Sequence, residues 1–218
     1  MMNQRGGTEM VVPDLTAQPR QGYSRGNQGV VQILRKSQKL LVDEGFGALT
    51  LRRIAAECGM TQGNLSYYFK SKSDLVMALI DAIATSYRSA CENLELEADG
   101  ETGAELRRLV EIYLGDIATR RTTRIFTELW AMASREEQVR ARLKEIYDSA
   151  VDMFAAVVGR TRPELDDEAR RGIALAIVAI LEGQTVFIGH DMPFADQREM
   201  LVEVVCETIV AMVLRWEG

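Results

Sequence analysis

The sequence predicts an all-α protein, and three observations carry that prediction. Proline is scarce, four in 218 residues, and beyond residue 27 the chain is rich in alanine, leucine, glutamate and arginine, which are strong helix formers. Apolar residues recur there at spacings of three and four, and no strand-like alternation of any length is present. Cap and stop residues bound these segments, so that about nine helices can be read off in order.

Residues 1–26 contain glycine, proline and polar residues without a period and read as a flexible tail. From Gln28, the residues Ile33, Leu34, Ser37, Leu40, Leu41 and Glu44 share one helical face. Gly45 ends this helix as a left-handed residue past the last turn, and Phe46 packs back onto it. Thr50 is a good N-cap for a short second helix with Leu51, Ile54, Ala55 and Cys58 on one face, and Gly59 stops it. Thr61 caps a third short helix running to about Tyr68. Ser71-Lys72-Ser73-Asp74 fits a capping box that opens a fourth helix through Leu75, Leu79, Ile83 and Tyr87, as far as Glu95. Glu97-Ala98-Asp99-Gly100 breaks the chain. Five further helices follow at about 102–119, 122–133, 135–159, 166–190 and 195–216, with stops at Arg162-Pro163 and Asp191-Met192-Pro193. The domains expected are 27–85 and 86–218.

The net charge of −6 is unevenly spread. Residues 1–85 carry ten Lys/Arg against seven Asp/Glu, and the remainder sixteen against twenty-five, which assigns any polyanion contact to the N-terminal part. No apolar run approaches the roughly 20 residues of a membrane span, and the N-terminus lacks a signal-peptide core. A cytoplasmic location is expected, without a membrane partner. Cys58, Cys91 and Cys206 have no metal-ligand spacing and read as buried free thiols; no metal and no cofactor is expected. Nucleophile elbow, phosphate loop and HExxH are all missing. The one histidine, His190, adjoins Asp191 at a helix end, where a structural role outweighs catalysis. The alternatives are a helical protein-interaction adaptor or, less favoured, a small enzyme using His190.

The two short helices joined across Cys58-Gly59-Met60-Thr61 form a helix-turn-helix pattern. Ala55 and Gly59 supply small side chains for a steep crossing, and Leu65 fills the gap against Ile54 and Leu51. With Leu65 and Phe69 buried, Gln62, Gly63, Asn64, Ser66 and Tyr67 lie on the front and outer faces. Asn64 and Gln62 suit adenine edges, and Ser66 can donate or accept. Gly63 costs roughly 1 kcal/mol of helix stability against alanine but lets the backbone approach a groove wall. Tyrosine hydroxyls reach phosphates, and Thr50, Thr61 and Lys72 lie at helix starts, where free N–H groups favour a phosphate.

The run TLRRIAAECGMTQGNLSYYFKSKSDL resembles the N-terminal signature of the TetR family of bacterial transcriptional repressors, over Gln28 to about Ile83. Tyr68 to Leu75, a Tyr-Phe-x-x-Lys-x-x-Leu run, is its most specific part. The resemblance implies a homodimeric, all-helical protein of about nine helices that binds an operator in double-stranded DNA and is released from it by a small molecule. It places Thr50, Thr61, Tyr67, Tyr68 and Lys72 near phosphates, and Gln62, Gly63, Asn64 and Ser66 at bases. Many members carry a basic residue in place of Gln62 and a large aromatic in place of Ser66, so this reading surface is shorter and uncharged.

In the acidic remainder, the last two helices are the expected dimer interface, through Ile173, Ile177, Ile180, Gln184, Leu201, Val205, Thr208, Met212 and Trp216. A ligand pocket is expected from Tyr113, Phe126, Trp130, Met132, Met153, Phe154 and Phe187. Glu182 stands in the apolar run Ile177–Phe187. There it must reach solvent, meet an arginine or contact a ligand.

Overall fold

A computed structural model describes residues 25–92 and 102–217. The proposed tail lies almost wholly outside the described residues, and so does the break at Glu97–Gly100. Among the described residues there are nine α-helices and no strand. They are α1 (Arg25–Glu44), α2 (Leu51–Glu57), α3 (Gln62–Tyr68), α4 (Lys72–Glu92), α5 (Ala104–Ile117), α6 (Arg120–Ala133), α7 (Glu137–Thr161), α8 (Asp167–Ile188) and α9 (Arg198–Leu214). Every expected helix is present, with described ends shifted by up to three residues; the expected end of α4 at Glu95 lies outside the described residues. A 3₁₀ turn at Ala195–Gln197 takes the place of the expected first turn of α9.

The chain divides into two compact units. One holds the described residues up to Tyr87 together with Arg124–Glu145; the other holds those within Arg88–Thr123 and from Ile146 onward. In the first unit α2 packs on α1 and α3. Ile33, Leu40, Leu41, Leu49, Ile54, Leu65, Leu75, Leu79 and Ile83 are buried. On α4, Tyr87 meets the Phe126 ring edge-on, with centroids 5.3 Å apart, and Asp81 pairs with Arg142 of α7 at 2.5 Å.

In the second unit α5, α8 and α9 pack on one another, and the inner face of α7 joins them in a core around Leu109, Leu114, Phe154, Ile177, Leu181 and Ile209. Ion pairs lace its surface: Arg107 of α5 with Glu203 and Glu207 of α9, Arg160 with Glu105, and Arg171 with Asp148 and Asp152. Helix ends are closed by side chains. Arg198 donates to Ile188 O at 2.9 and 3.1 Å, and Arg162 donates to Val213 O, Leu214 O and Trp216 O at 2.7, 3.0 and 2.9 Å. Gly189 must be glycine for space, because a Cβ there would lie 2.4 Å from Thr185 O.

One sequence expectation is overturned here. α8 is long and apolar enough, by length and composition, to cross a membrane. Its inner face instead fills the core just described, with Ile173, Ala174, Ile177, Val178 and Leu181 buried.

Candidate nucleic-acid interface and effector site

The α2–α3 pair is built by local chemistry. Thr50 and Thr61 both have extended backbones, and each hydroxyl accepts from a backbone N–H three residues on, Arg53 and Asn64, at 3.2 Å. Gly59 (φ +67°) closes α2 in a Schellman arrangement: its own N–H donates to Ala56 O and the Met60 N–H to Ala55 O, both at 3.0 Å. A Cβ on Gly59 would meet nothing within 4 Å, so the residue is needed for its positive φ and not for a close helix crossing. Ser71 and Asp74 form the expected reciprocal box, at 3.0 and 3.1 Å.

With Leu65 and Phe69 buried beneath it, α3 turns Gln62, Gly63, Asn64, Ser66 and Tyr67 to solvent. Thr50 and Thr61 are exposed as well. Space around Gly63 is open, the one neighbour of an added Cβ being Thr61 Oγ1 at 3.9 Å. The Ser66 hydroxyl turns back onto Gln62 O at 2.9 Å. The two tyrosines part company. Tyr67 is 85% exposed, whereas Tyr68 is half-buried with its hydroxyl against α1, where a Cβ on Gly29 would come within 2.7 Å.

Lys72 is held, not free. Its Nζ lies 4.1 Å from the centroid of the Phe46 ring and donates to Phe46 O at 3.4 Å. Phe46 is in turn fixed from α6, where Glu128 Oε1 accepts its N–H at 3.1 Å. The residue before it, Gly45, has the expected positive φ (82°), but its ψ of 175° is extended, in a region open to glycine alone. Sequence reasoning missed Arg52 on α2 and Lys70 just past α3, both exposed cations; the excess of basic residues in this part of the chain was the available signal. Arg53 is engaged, at 2.6 Å from Glu44.

The expected pocket residues are divided between the two compact units. Phe126, Trp130 and Met132 belong to the first compact unit, where Phe126 packs on Tyr87 and lies 6.2 Å from the Trp130 ring. Met153 lines a cleft of about 410 Å³ between α7 and the last turns of α4, with Arg88, Cys91, Glu92, Asp152 and Arg160. Burial pushes the Cys91 thiol up to about 11, so it stays protonated. Phe187 is 49% exposed and stacks on Phe194.

Tyr113, Phe154 and Glu182 do come together. Glu182 Oε1 accepts from the Tyr113 hydroxyl at 2.6 Å, Oε2 accepts from Tyr147 at 2.9 Å, and the Phe154 ring lies 5.7 Å from that of Tyr113. Among the described residues, the hydrogen-bond partners of the half-buried Glu182 are therefore two tyrosines and no arginine. Burial raises its carboxyl above the usual range, against the lowering effect of the two hydroxyls. Tyr147 went unnoticed in the sequence, although it stands three residues before Ala150 and seven before Phe154 on the buried face of α7.

The expected dimer stripe also needs correction. Ile173, Ile177 and Val205 are buried in their own core and offer no surface to a partner. Ile180, Gln184, Leu201 and Met212 are partly buried, and Thr208 and Trp216 are exposed. A different apolar face is open on the same helices: Leu175, Val186 and Phe187 on α8, among exposed Gly172, Ala176, Ala179 and Gly183, and Met200 and Val204 on α9. Burial thus removes Ile173, Ile177 and Val205 from the expected stripe and leaves its other members accessible, on helices whose two sides are both apolar. Just past the end of α8, His190 Nε2 lies 3.2 Å from the Asp191 carboxylate, and the His190 backbone N–H donates to Thr123 Oγ1 at 2.9 Å.

Comparison with known proteins bears on the family and the fold. Residues 33–79 match the family described as bacterial regulatory proteins, tetR family, and residues 103–213, just over half of the chain, match the BetI-type transcriptional repressor C-terminal family. An uncharacterized HTH-type transcriptional regulator in the dhlA 5′ region of Xanthobacter autotrophicus is 31% identical over 172 residues, 78% of this chain and 83% of that one. The HTH-type transcriptional regulator BetI of Cronobacter sakazakii is 26% identical over 154 residues, covering 70% and 75%. A transcriptional regulator of Saccharomonospora viridis, solved in complex with choline, superposes with a TM-score of 0.68 at 17% identity, covering 87% of this chain and 97% of that one.

Proposed function

The chain belongs to the TetR family of ligand-responsive, DNA-binding transcriptional regulators, and we propose that it is a repressor released from a near-palindromic operator by a small molecule. The observation that carries this reading is the front of α3, a wholly polar surface with an open backbone at Gly63 and a buried Leu65 behind it. Such a face suits a major groove. In this reading Gln62, Asn64 and Ser66 meet bases and Gly63 admits the groove wall. Thr50, Thr61, Tyr67 and Lys72 hold phosphates, joined by Arg52. Tyr68 contributes less than Tyr67, because its hydroxyl faces α1.

Two copies of α3 are needed to read two half-sites one helical turn apart. The open apolar faces of α8 and α9 suit a second copy of this chain. The effector is assigned to the unit built from α5, α8, α9 and the inner face of α7, and its chemistry to an organic cation. Glu182 presents a carboxylate whose partners among the described residues are neutral hydroxyls, with three aromatic rings close by. Choline, bound in the Saccharomonospora viridis regulator, is a natural first compound to assay. Release requires that the effector bind the DNA-free arrangement more tightly than the bound one. A cytoplasmic location follows from this role.

The test is a gel-shift titration on the DNA upstream of the protein's own gene. A specific complex that weakens steeply with salt and dissolves on adding effector is expected. Absence of any sequence preference at low salt would end the repressor reading. A complex that forms but ignores organic cations would end the effector assignment alone.

A further inference from the structure

Lys72 does not reach the DNA-facing side of the molecule unsupported. Its ammonium rests on the Phe46 ring, 4.1 Å from the centroid, and on the Phe46 carbonyl at 3.4 Å. Phe46 sits in a 3₁₀ turn of three residues, Phe46–Ala48, too short to fix itself. What fixes it comes from α6: Glu128 Oε1 accepts the Phe46 N–H at 3.1 Å. The backbone is shaped around that oxygen. Gly45, with φ +82°, lies so close that an added Cβ would stand 2.9 Å from Glu128 Oε1. The chain Glu128–Phe46–Lys72 thus runs from α6 to the first residue of α4, where free backbone N–H groups already favour a phosphate.

We infer that Glu128 is a positioning residue for DNA binding, which sets the place of the Lys72 ammonium at an operator phosphate by holding the Phe46 turn. The inference rests on the DNA-binding role of Lys72 proposed above. It makes a prediction opposite in sign to plain electrostatics. A carboxylate near a polyanion repels it, so its removal should strengthen binding; if the carboxylate instead holds a phosphate anchor in place, its removal weakens binding.

The full-length protein and its Glu128→Ala, Glu128→Gln, Glu128→Asp, Lys72→Ala and Glu128→Ala/Lys72→Ala variants are titrated by fluorescence anisotropy. Each is measured across a salt series, on the upstream fragment and on a random duplex, with thermal melts beside them. Lys72→Ala weakens both duplexes alike and lowers the salt slope by about one. Glu128→Ala does the same, and the double variant is no weaker than Lys72→Ala. Glu128→Gln, whose amide oxygen still accepts, binds like the parent, whereas Glu128→Asp keeps the charge, loses the reach and behaves like Glu128→Ala. Should Glu128→Ala fail to fold, the Gln and Asp pair decides. Tighter or unchanged binding by Glu128→Ala, a Gln variant as weak as the Asp variant, or losses that add in the double variant each overturns the inference. A parent protein that binds no DNA overturns the repressor reading, and the inference with it. A parent that binds, with Glu128 variants that match it, overturns the inference alone.

Discussion

α3 and α8 are both helices that show solvent more than their own core requires, yet they do so in opposite ways. α3 has seven residues; it buries Leu65 and turns out polar groups around an open backbone at Gly63. α8 has twenty-two; it buries one apolar face and turns out a second one, with Leu175, Val186 and Phe187 among small residues. The first suits a partner recognised by hydrogen bonds at groove edges, the second a partner recognised by close packing. The difference also sets how each helix is stabilised. α3 is too short to persist alone and depends on the Thr61 cap and its packing on α2, whereas the length of α8 and its buried stripe suffice for it.

The largest expected effect lies on α8. Leu175→Glu with Phe187→Glu places charges on the open apolar face and should weaken self-association about a hundredfold or more, read by sedimentation. Thermal stability of the protomer should hardly change. Ile177→Ala, on the opposite face of the same helix, should do the reverse, costing about 2–5 kcal/mol of stability through a core cavity. Association lost with Ile177→Ala at unchanged stability would invert the assignment of faces.

On α3 a single side chain is expected to matter less for complex formation and more for choice. Asn64→Ala should remove about 1–3 kcal/mol of discrimination between operator and random DNA while leaving binding to random DNA intact. A uniform loss on both would make Asn64 an anchor and erase the distinction from Lys72.

The smallest effect tests the polar exception inside α8. The folded protein raises the Glu182 carboxyl through burial, so it holds the proton more tightly than the unfolded chain. Stability from this group is present below the unfolded carboxyl's range and falls as pH rises through the folded value. Glu182→Gln should therefore melt with the parent in acid and above it in mild alkali. Equal melting at every pH would mean that burial does not disfavour the charged form.

What the sequence made legible follows the same divide. The reading head is specified by short-range chemistry, so Thr50, Thr61, Gly59 and the Ser71–Asp74 box could be placed from the residues alone, and each is found in that role. Gly59 was given the wrong reason, because sequence cannot separate a demand for positive φ from a demand for space. In the second unit the helices were legible but not their sides. α8 carries apolar residues on both sides, so periodicity alone does not say that Ile177 turns inward and Leu175 outward; packing against α5 and α9 decides it. Glu128 left no trace, since an isolated glutamate between Thr127 and Leu129 reads as a solvated position. Its role rests on meeting a backbone N–H 82 residues away.

The closure of α9 by Arg162 bears on how this chain tolerates editing. One guanidinium, 18% exposed, spends its donors on Val213, Leu214 and Trp216, so the last turns of the chain are fastened to the end of α7. The C-terminus is therefore a poor place for shortening. Deleting residues from Leu214 onward would strip a sheltered cation of two of its three backbone acceptors, and the damage would surface at Thr161–Pro163, more than fifty positions upstream.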